Sequence, residues 1–236
     1  MKNQRFDMIS RLDWDSEMFK MTIGVSNIST YRDVQLSDFK KQFLGYDLVY
    51  LLSHKKVPDF EGQLFEDERI KYVKNVSFHD LKTQVSKVKF GIHKKSNFEK
   101  LALLSGRFSR FHLDPKFDDE KFILLYNLWL GNYFLNDSSK EVFFCQESGI
   151  IQGFLTLDID YQEQTGTIDL VAVDEQFQGQ GIGTTLIRSV ENYLISEKIK
   201  TLYVTTQGCN DQAKRLYEKN QFEIDNVSFV YHLWKA

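Results

Sequence analysis

The order of its predicted elements makes this chain an α/β protein with a mixed sheet flanked by helices. Its second half contains a meander of three strands, then a helix, a strand, a second helix and a last strand. These segments are predicted at Val142–Gln146, Ile150–Asp158, Thr167–Val173, Gly181–Glu197, Thr201–Thr205, Asn210–Asn220 and Phe229–Trp234. Ser148-Gly149 is the turn signal between the first two strands. An antiparallel meander followed by alternating helices and strands gives a mixed sheet.

The first hundred residues predict a smaller α/β unit. Strands are expected at Met21–Ile28, Asp47–Ser53, Arg69–Val76 and Val85–Ile92, with a helix near Asp33–Leu44. The acidic segment Val57–Glu68 contains a proline and a glycine and is predicted to be a loop. We therefore expect a domain over residues 1–100 and a larger one over residues 101–236.

A long helix opens the predicted larger domain. Asp118 or Asp119 can cap it, and it is expected to run to about Tyr133. Its apolar positions are Phe122, Leu125, Leu128 and Trp129.

Composition excludes several classes of protein. The 236 residues are 42% hydrophobic with a net charge of −3, which favours a globular chain and disfavours a nucleic-acid binder. Two cysteines and five scattered histidines do not supply a four-ligand zinc site, so we expect no metal. The N-terminus lacks the apolar segment of a signal peptide, and no apolar run is long enough to span a membrane. The expected location is the reduced cytoplasm.

The most informative segment is a buried strand, Ile168–Val173, followed by the glycine loop Gln178–Gly183 and a helix. The first amides of a helix have no partner within the helix, and small residues allow a pyrophosphate to approach them. A P-loop would require a lysine immediately before Thr184, where this chain has Gly183. A dinucleotide-binding fingerprint would require a glycine at position 184 itself. Neither motif is therefore present.

Gln178, Gly181 and Gly183 match the Gln/Arg-x-x-Gly-x-Gly/Ala motif, and here the chain resembles the GNAT superfamily of N-acetyltransferases. The resemblance implies the GNAT fold and acetyl-CoA as co-substrate, with its pantetheine arm along the strand. The coenzyme-binding residues it implies are Leu170, Val171, Val173, Gln178, Gly179, Gln180, Gly181, Ile182, Gly183 and Asn210.

A helical stripe follows the glycine loop. Asn210, Ala213 and Tyr217 are spaced by three and four residues and so share one face of a helix. Asn210 either contacts the pantetheine or caps the helix, and Tyr217 is either a proton donor or a core residue. The superfamily often has Gly-Phe after this helix, whereas this chain has Asn220-Gln221-Phe222, so Asn220 is expected to end the helix in a left-handed conformation.

Short motifs elsewhere resemble one branch, the dTDP-fucosamine acetyltransferases. These are Trp14-Asp-Ser16 with Phe19, Ser109-Arg-Phe111, Asp114-Pro115, Leu125-Tyr126 with Trp129, and Phe229–Trp234. The resemblance implies transfer of an acetyl group to the 4-amino group of dTDP-4-amino-4,6-dideoxygalactose, with Tyr217 as proton donor. Asp169 or Asp158 is the candidate base. Arg110 either contacts the substrate pyrophosphate or fixes its own turn.

Two alternatives remain open. The first is a GNAT enzyme that acetylates another small amine or a protein N-terminus. The second is a non-catalytic module that binds coenzyme A. The expected partner is a small-molecule substrate, with no nucleic acid and no membrane, and a homodimer is compatible with the sequence.

Overall fold

The computed structural model describes residues 9–28, 43–57, 64–76, 88–90, 94–135 and 137–235. Its strands are β1 Ser10–Arg11, β2 Ile23–Asn27, β3 Leu48–Ser53, β4 Leu64–Asn75, β5 Val88–Phe90, β6 Lys140–Glu147, β7 Ile150–Asp160, β8 Thr165–Val173, β9 Thr201–Gln207 and β10 Glu223–Trp234. Its α-helices are α1 Asp13–Phe19, α2 Glu99–Ser105, α3 Arg110–Leu113, α4 Asp119–Gly131, α5 Ile182–Ser196 and α6 Asp211–Lys219. Short 3₁₀ turns lie at Lys95–Asn97, Asn132–Phe134 and Glu175–Phe177.

The backbone forms two compact units. The first contains Met1–Arg69 together with Val227–Ala236, and the second contains Ile70–Asn226. The chain passes from one unit to the other within β4 and returns within β10. The sequence predicts a boundary at residue 100 instead, and that assignment of domains stays a prediction.

The first unit contains a small mixed sheet. β1 pairs antiparallel with β2, β2 pairs parallel with β3, and β3 pairs antiparallel with residues 229–234 of β10. Ile9, Val49, Leu51 and Tyr231 form a buried apolar cluster on this sheet. The buried Tyr231 hydroxyl accepts a hydrogen bond from the Val57 amide at 3.0 Å, so its polar atom is satisfied inside the core.

The second unit contains the larger mixed sheet, in the strand order β4-β9-β8-β7-β6-β5. The pairs from β5 through β8 are antiparallel, and β8 pairs parallel with β9. Helices α2 and α5 pack against β8. The predicted fold class, an α/β protein with a mixed and mostly antiparallel sheet flanked by helices, is confirmed.

The two faces of β8 differ in burial. Its even-numbered residues are buried, and at Gly166 the backbone lies against Leu194 of α5. Its odd-numbered residues are only partly buried. Because side chains alternate along a strand, Thr165, Asp169 and Val173 share the face opposite α5. This face is available to form a site.

The predicted long helix is α4, and Asp118 caps it by accepting a hydrogen bond from the Glu120 amide. Phe122 and Leu125 are buried as predicted. The prediction is wrong for Leu128 and Trp129, which are exposed because the buried stripe continues through Tyr126 to Leu130 at helical spacing.

The loop expected over Val57–Glu68 is wrong at its C-terminal end, because β4 begins at Leu64. Acidic side chains do not prevent this strand, since Glu66 is paired with Lys56 at 2.8 Å. The helix expected near Asp33–Leu44 lies almost entirely outside the described residues. In the part of the chain that the structure describes, none of the helices is long and apolar enough to span a membrane.

Candidate active site

A cleft of about 450 Å³ lies in the second unit, where β8 ends and α5 begins. We call it the glycine-loop cleft. Its walls come from the segment after α2, the end of β8, the glycine loop, the start of α5 and one face of α6. The lining residues include Leu104, Ser105, Arg107, Phe108, Val171, Val173, Phe177, Gln178, Gly179, Gly181, Ile182, Gly183, Thr184, Asn210, Gln212, Ala213, Arg215, Leu216, Tyr217 and Lys219.

The glycine loop has a backbone that favours glycine. Gly179 has a φ of 76° and Gly181 a φ of 83°, a region that other residues rarely adopt. A Cβ at either position would have no atom within 4 Å, so the space around both is open. Gly181 is the N-cap of α5, and among the described residues no side chain caps this helix. The unpaired amides of its first turn suit an anion.

Basic side chains accompany these amides. Arg107, Arg215 and Lys219 all line the cleft. Arg107 also donates to Gln212 at 2.7 Å and to Glu175 at 3.3 Å. The glycine motif does not point to these three residues, although Arg215 and Lys219 are four apart and share a face of α6. Open glycine backbone, unpaired amides and three cations fit the phosphates of a nucleotide-bearing coenzyme.

Most predicted coenzyme-binding residues line the cleft, and two do not. Val171 and Val173 are on its wall, whereas Leu170 is buried on the opposite face of β8. The Leu170 amide is already bonded to the Thr156 hydroxyl at 2.9 Å. Gln180 is exposed and bonds the Gln176 carbonyl at 3.3 Å. The contacts predicted for these residues stay predictions.

The predicted stripe on α6 faces the cleft. Asn210, Ala213 and Tyr217 all line it. Asn210 also caps α6 by accepting a hydrogen bond from the Ala213 amide at 3.1 Å, which confirms the capping alternative. Its contact with the pantetheine stays a prediction. The stripe therefore serves as a wall of the cleft as well as a helix start.

Tyr217 is almost completely buried, with 2% of its surface exposed, yet it reaches the cleft wall. Its ring packs on Tyr72 with centroids 5.5 Å apart and on Phe222 at 5.7 Å. Burial raises the pKa of the Tyr217 phenol, and Tyr72 adds to the shift. The hydroxyl therefore stays protonated at neutral pH, which is the state that a proton donor requires.

Asn220 ends α6 as its C-cap, as predicted, but the left-handed conformation expected for it is wrong. Asn220 has a φ of −93°, and the left-handed residue is the next one, Gln221, at 64°. The Asn220 side chain instead donates to the Leu216 carbonyl at 2.7 Å and to the Thr184 hydroxyl at 3.3 Å. These bonds satisfy the buried side-chain amide within α6 and link α6 to α5.

A second cavity, of about 690 Å³, lies at the other end of β8. We call it the acidic cavity. Its lining residues are Asp158, Ile159, Asp160, Tyr161, Gln162, Thr165, Thr167 and Asp169. Asp169 precedes Val171 by two residues, so both lie on the same face of β8. The two cavities thus border successive positions of one strand.

Both predicted base candidates line the acidic cavity, but their surroundings differ. Asp158 forms an ion pair with Lys140, whereas Asp169 accepts a hydrogen bond from the Tyr133 hydroxyl. Burial raises the pKa of Asp169, and the nearby charge of Asp158 adds to the rise, while Tyr133 and Lys140 oppose it. A carboxylate with a raised pKa is a stronger base than an ordinary aspartate.

Arg110 lies in α3, and its guanidinium stacks 4.2 Å from the centroid of the Phe111 ring. It is not among the lining residues of either cavity. Its predicted contact with a substrate stays a prediction. Among the described residues, no group of three or more His, Cys, Asp or Glu side chains is arranged to hold a metal ion.

All the residues that line the glycine-loop cleft lie within one segment of the chain, and this segment matches a family model. The model of the family described as Acetyltransferase (GNAT) family matches residues 102–222. The chain belongs to the GNAT acetyltransferase family.

Two curated proteins are similar to parts of this chain. The spore coat polysaccharide biosynthesis protein SpsD of Bacillus subtilis is 26% identical over 126 residues, which cover 53% of this chain and 43% of that protein. N-alpha-acetyltransferase 30 of Homo sapiens is 24% identical over 111 residues, covering 46% of this chain and 31% of that protein. The matches span less than half the length of these two relatives.

A solved structure shows the same fold over the whole chain. It is a conserved protein of unknown function from Staphylococcus epidermidis, with a TM-score of 0.68 at 14% identity. The alignment covers 100% of this chain and 94% of that one. At this identity the similarity is evidence for the fold alone.

Proposed function

We propose that this protein is an acetyl-CoA-dependent N-acetyltransferase whose acceptor is a nucleotide-linked amino sugar, specifically a dTDP-linked 4-amino-4,6-dideoxyhexose such as the galactose form. The observation that carries the proposal is that an open glycine loop and a buried, protonated tyrosine line one cleft. The loop amides, with Arg215 and Lys219, would hold the coenzyme phosphates. Val171 and Val173 would flank the pantetheine arm.

The chemistry needs one proton donor and one proton acceptor. The neutral amine nitrogen attacks the thioester carbonyl carbon, so a C–N bond forms and the C–S bond breaks with its electron pair on sulfur. Tyr217 donates a proton to that sulfur. The proton that the amine nitrogen loses goes to Asp169, and solvent then restores both groups. Asp169 is preferred to Asp158 because Lys140 neutralises the latter.

Two findings support a sugar acceptor. The branch motifs from Trp14 to Trp234 resemble enzymes that act on dTDP-amino sugars, and the relative SpsD is named for polysaccharide biosynthesis. The acidic cavity also offers hydroxyl and carboxylate groups of the kind that bind sugar hydroxyls, from Thr165, Thr167 and Asp169.

A protein N-terminus is the second candidate acceptor. The match to N-alpha-acetyltransferase 30 favours it. An acidic cavity would also attract the positive charge of an α-amino group.

Acetyl transfer to a panel of acceptors tests both candidates, the amino sugar and the protein N-terminus. The panel contains dTDP-4-amino-4,6-dideoxygalactose, its glucose epimer, the free amino sugars, a polyamine and short peptides with different N-termini, with products identified by mass spectrometry. We expect acetylation of a dTDP-amino sugar with a kcat/KM at least about 100-fold above that of the free sugar, since the nucleotide supplies binding energy. Equal rates with simple amines, or a preference for peptides, would overturn the sugar assignment.

A further inference from the structure

The environment of Asp169 contains a residue that the glycine motif and the α6 stripe do not identify. Tyr133 lies in the 3₁₀ turn Asn132–Phe134 that follows α4, and only 7% of it is exposed. Its hydroxyl donates to Oδ2 of Asp169. A tyrosine has a single hydroxyl proton, so this bond commits the phenol to the carboxylate.

The phenol is itself held in place from β7. The pairing of β7 with β8 shifts register between Leu155 and Leu157, at the position of Thr156. The buried Thr156 hydroxyl accepts from the Leu170 amide at 2.9 Å, and it opposes the rise in the pKa of Tyr133 that burial and Asp169 cause. The backbone of β8 thus fixes Thr156 near the phenol, and the phenol in turn is bonded to Asp169.

We propose that Tyr133 is a positioning residue, which fixes the Asp169 carboxylate so that its second oxygen faces the acidic cavity and receives the proton of the acceptor amine. The role of Asp169 as base rests on the function proposed above. Tyr133 itself touches neither substrate. Its contribution is to hold one oxygen of the base and leave the other available.

The charged groups around Asp169 determine the sign of the expected effect. Asp158 from β7 disfavours the Asp169 charge, and Lys140 from β6 favours it, with its ammonium 5.2 Å from the centroid of the Tyr133 ring. Asp160 and Tyr161 also line the cavity. The Tyr133 hydroxyl stabilises the carboxylate, so its removal raises the pKa of Asp169 further.

The test compares Tyr133→Phe with Tyr193→Phe. Tyr193 is a matched control because its hydroxyl donates to another carboxylate of the same unit, Glu141, at 3.1 Å, and it lines neither cavity. The first measurement is a ¹³C NMR titration of the aspartate carboxyl groups, with Asp169→Asn used to assign the Asp169 signal. The second is the pH profile of kcat/KM with the best acceptor of the panel. Melting temperatures report any purely structural loss.

We expect Tyr133→Phe to move both the Asp169 titration and the acid limb of the profile to higher pH, and to lower kcat/KM by about 10- to 100-fold, the effect of a misplaced catalytic group. Tyr193→Phe should leave both midpoints unchanged even where it lowers the melting temperature. The proposal is overturned if the Asp169 titration and the profile of Tyr133→Phe coincide with those of the wild type. If Tyr133→Phe does not fold, Thr156→Val removes the hydroxyl that influences the Tyr133 phenol and should move both midpoints in the same direction.

Failure of the proposed function gives a different result. In that case none of the acceptors is acetylated, while the NMR titration still decides whether Tyr133 controls the Asp169 charge.

Discussion

The two cavities of the second unit lie along one strand but are built from different parts of the chain. The glycine-loop cleft presents backbone amides, open glycines and apolar side chains at the C-terminal end of β8. The acidic cavity presents carboxylates and hydroxyls from the N-terminal part of β8 and from β7. The first suits an anionic coenzyme, and the second suits an amine that must lose a proton.

The difference lies in how each site recognises its ligand. Backbone recognition needs a short contiguous segment, so in the proposed site Gln178–Gly183 would supply the backbone groups that bind the anion. Side-chain recognition needs residues brought together by the fold, such as Asp169 and Tyr133, which are 36 residues apart. Substitutions in the two cavities should therefore affect different measurements.

The largest effect is expected from Tyr217→Phe. The ring and its packing on Tyr72 and Phe222 remain, so acetyl-CoA affinity and melting temperature should change little. Turnover should fall by roughly 10²–10⁴-fold, because a positioned acid is lost. Burial raises the pKa of Tyr217 above the ordinary phenol value of about 10. Loss of the Tyr217 proton should therefore not lower wild-type turnover at any pH below about 10.

Tyr72→Phe is the matched control for that variant. Tyr72 is equally buried, and its hydroxyl bonds Glu218 at 3.2 Å without lining the cleft. Its turnover should stay close to that of the wild type. A core role for Tyr217 would give the reverse result, with a lower melting temperature and nearly normal turnover in Tyr217→Phe.

A smaller effect is expected from Gly181→Val, measured as acetyl-CoA affinity by calorimetry. Gly149→Val is its control, because both glycines have a φ of 83° and open space, and Gly149 lies in the β6–β7 turn. The backbone strain should be similar in the two variants. Only Gly181→Val should weaken binding, by about 10-fold or more, the worth of one hydrogen bond to a charged group. Equal affinity of both folded variants would contradict an anion site on the loop.

Much of the fold could be predicted from the sequence where local signals are strong. Alternating hydrophobicity and the Ser148-Gly149 turn located β6 and β7 to within a few residues. The glycine loop likewise located the start of α5. Prediction failed where contacts between distant residues determine the local structure. At the start of β4, Lys56 pairs with an acidic residue of the strand. At the end of α6, the Asn220 side chain forms a hydrogen bond to Thr184 of α5.

The glycine-loop cleft and the acidic cavity also differ in how much of each could be predicted from the sequence. The motif and the α6 stripe indicated eight of the residues that line the cleft. The stripe could be predicted because spacings of three and four residues place Asn210, Ala213 and Tyr217 on one face of a helix. Asp169 was only one of two candidate bases. The residues that distinguish it, Tyr133 and Lys140, come from distant segments, and no local periodicity connects them with β8.

The smallest effect is expected from Lys140→Met. Lys140 pairs with Asp158 and lies near the Tyr133 ring, and its charge lowers the pKa of Asp169. Removing the charge also leaves Asp158 uncompensated, and both changes raise the pKa of Asp169. The acid limb of kcat/KM should therefore move to higher pH, as for Tyr133→Phe.

The rate of Lys140→Met above that limb should change by less than about threefold, because a partly exposed charge is screened by water and salt. Lys71→Met is the control, since Lys71 pairs with Asp225 at 3.3 Å and lines neither cavity. Acetyl-CoA affinity should be unchanged in both variants. A weakened coenzyme affinity in Lys140→Met would show that the two cavities do not act separately, because a charge that pairs with a residue of the acidic cavity would then affect the coenzyme.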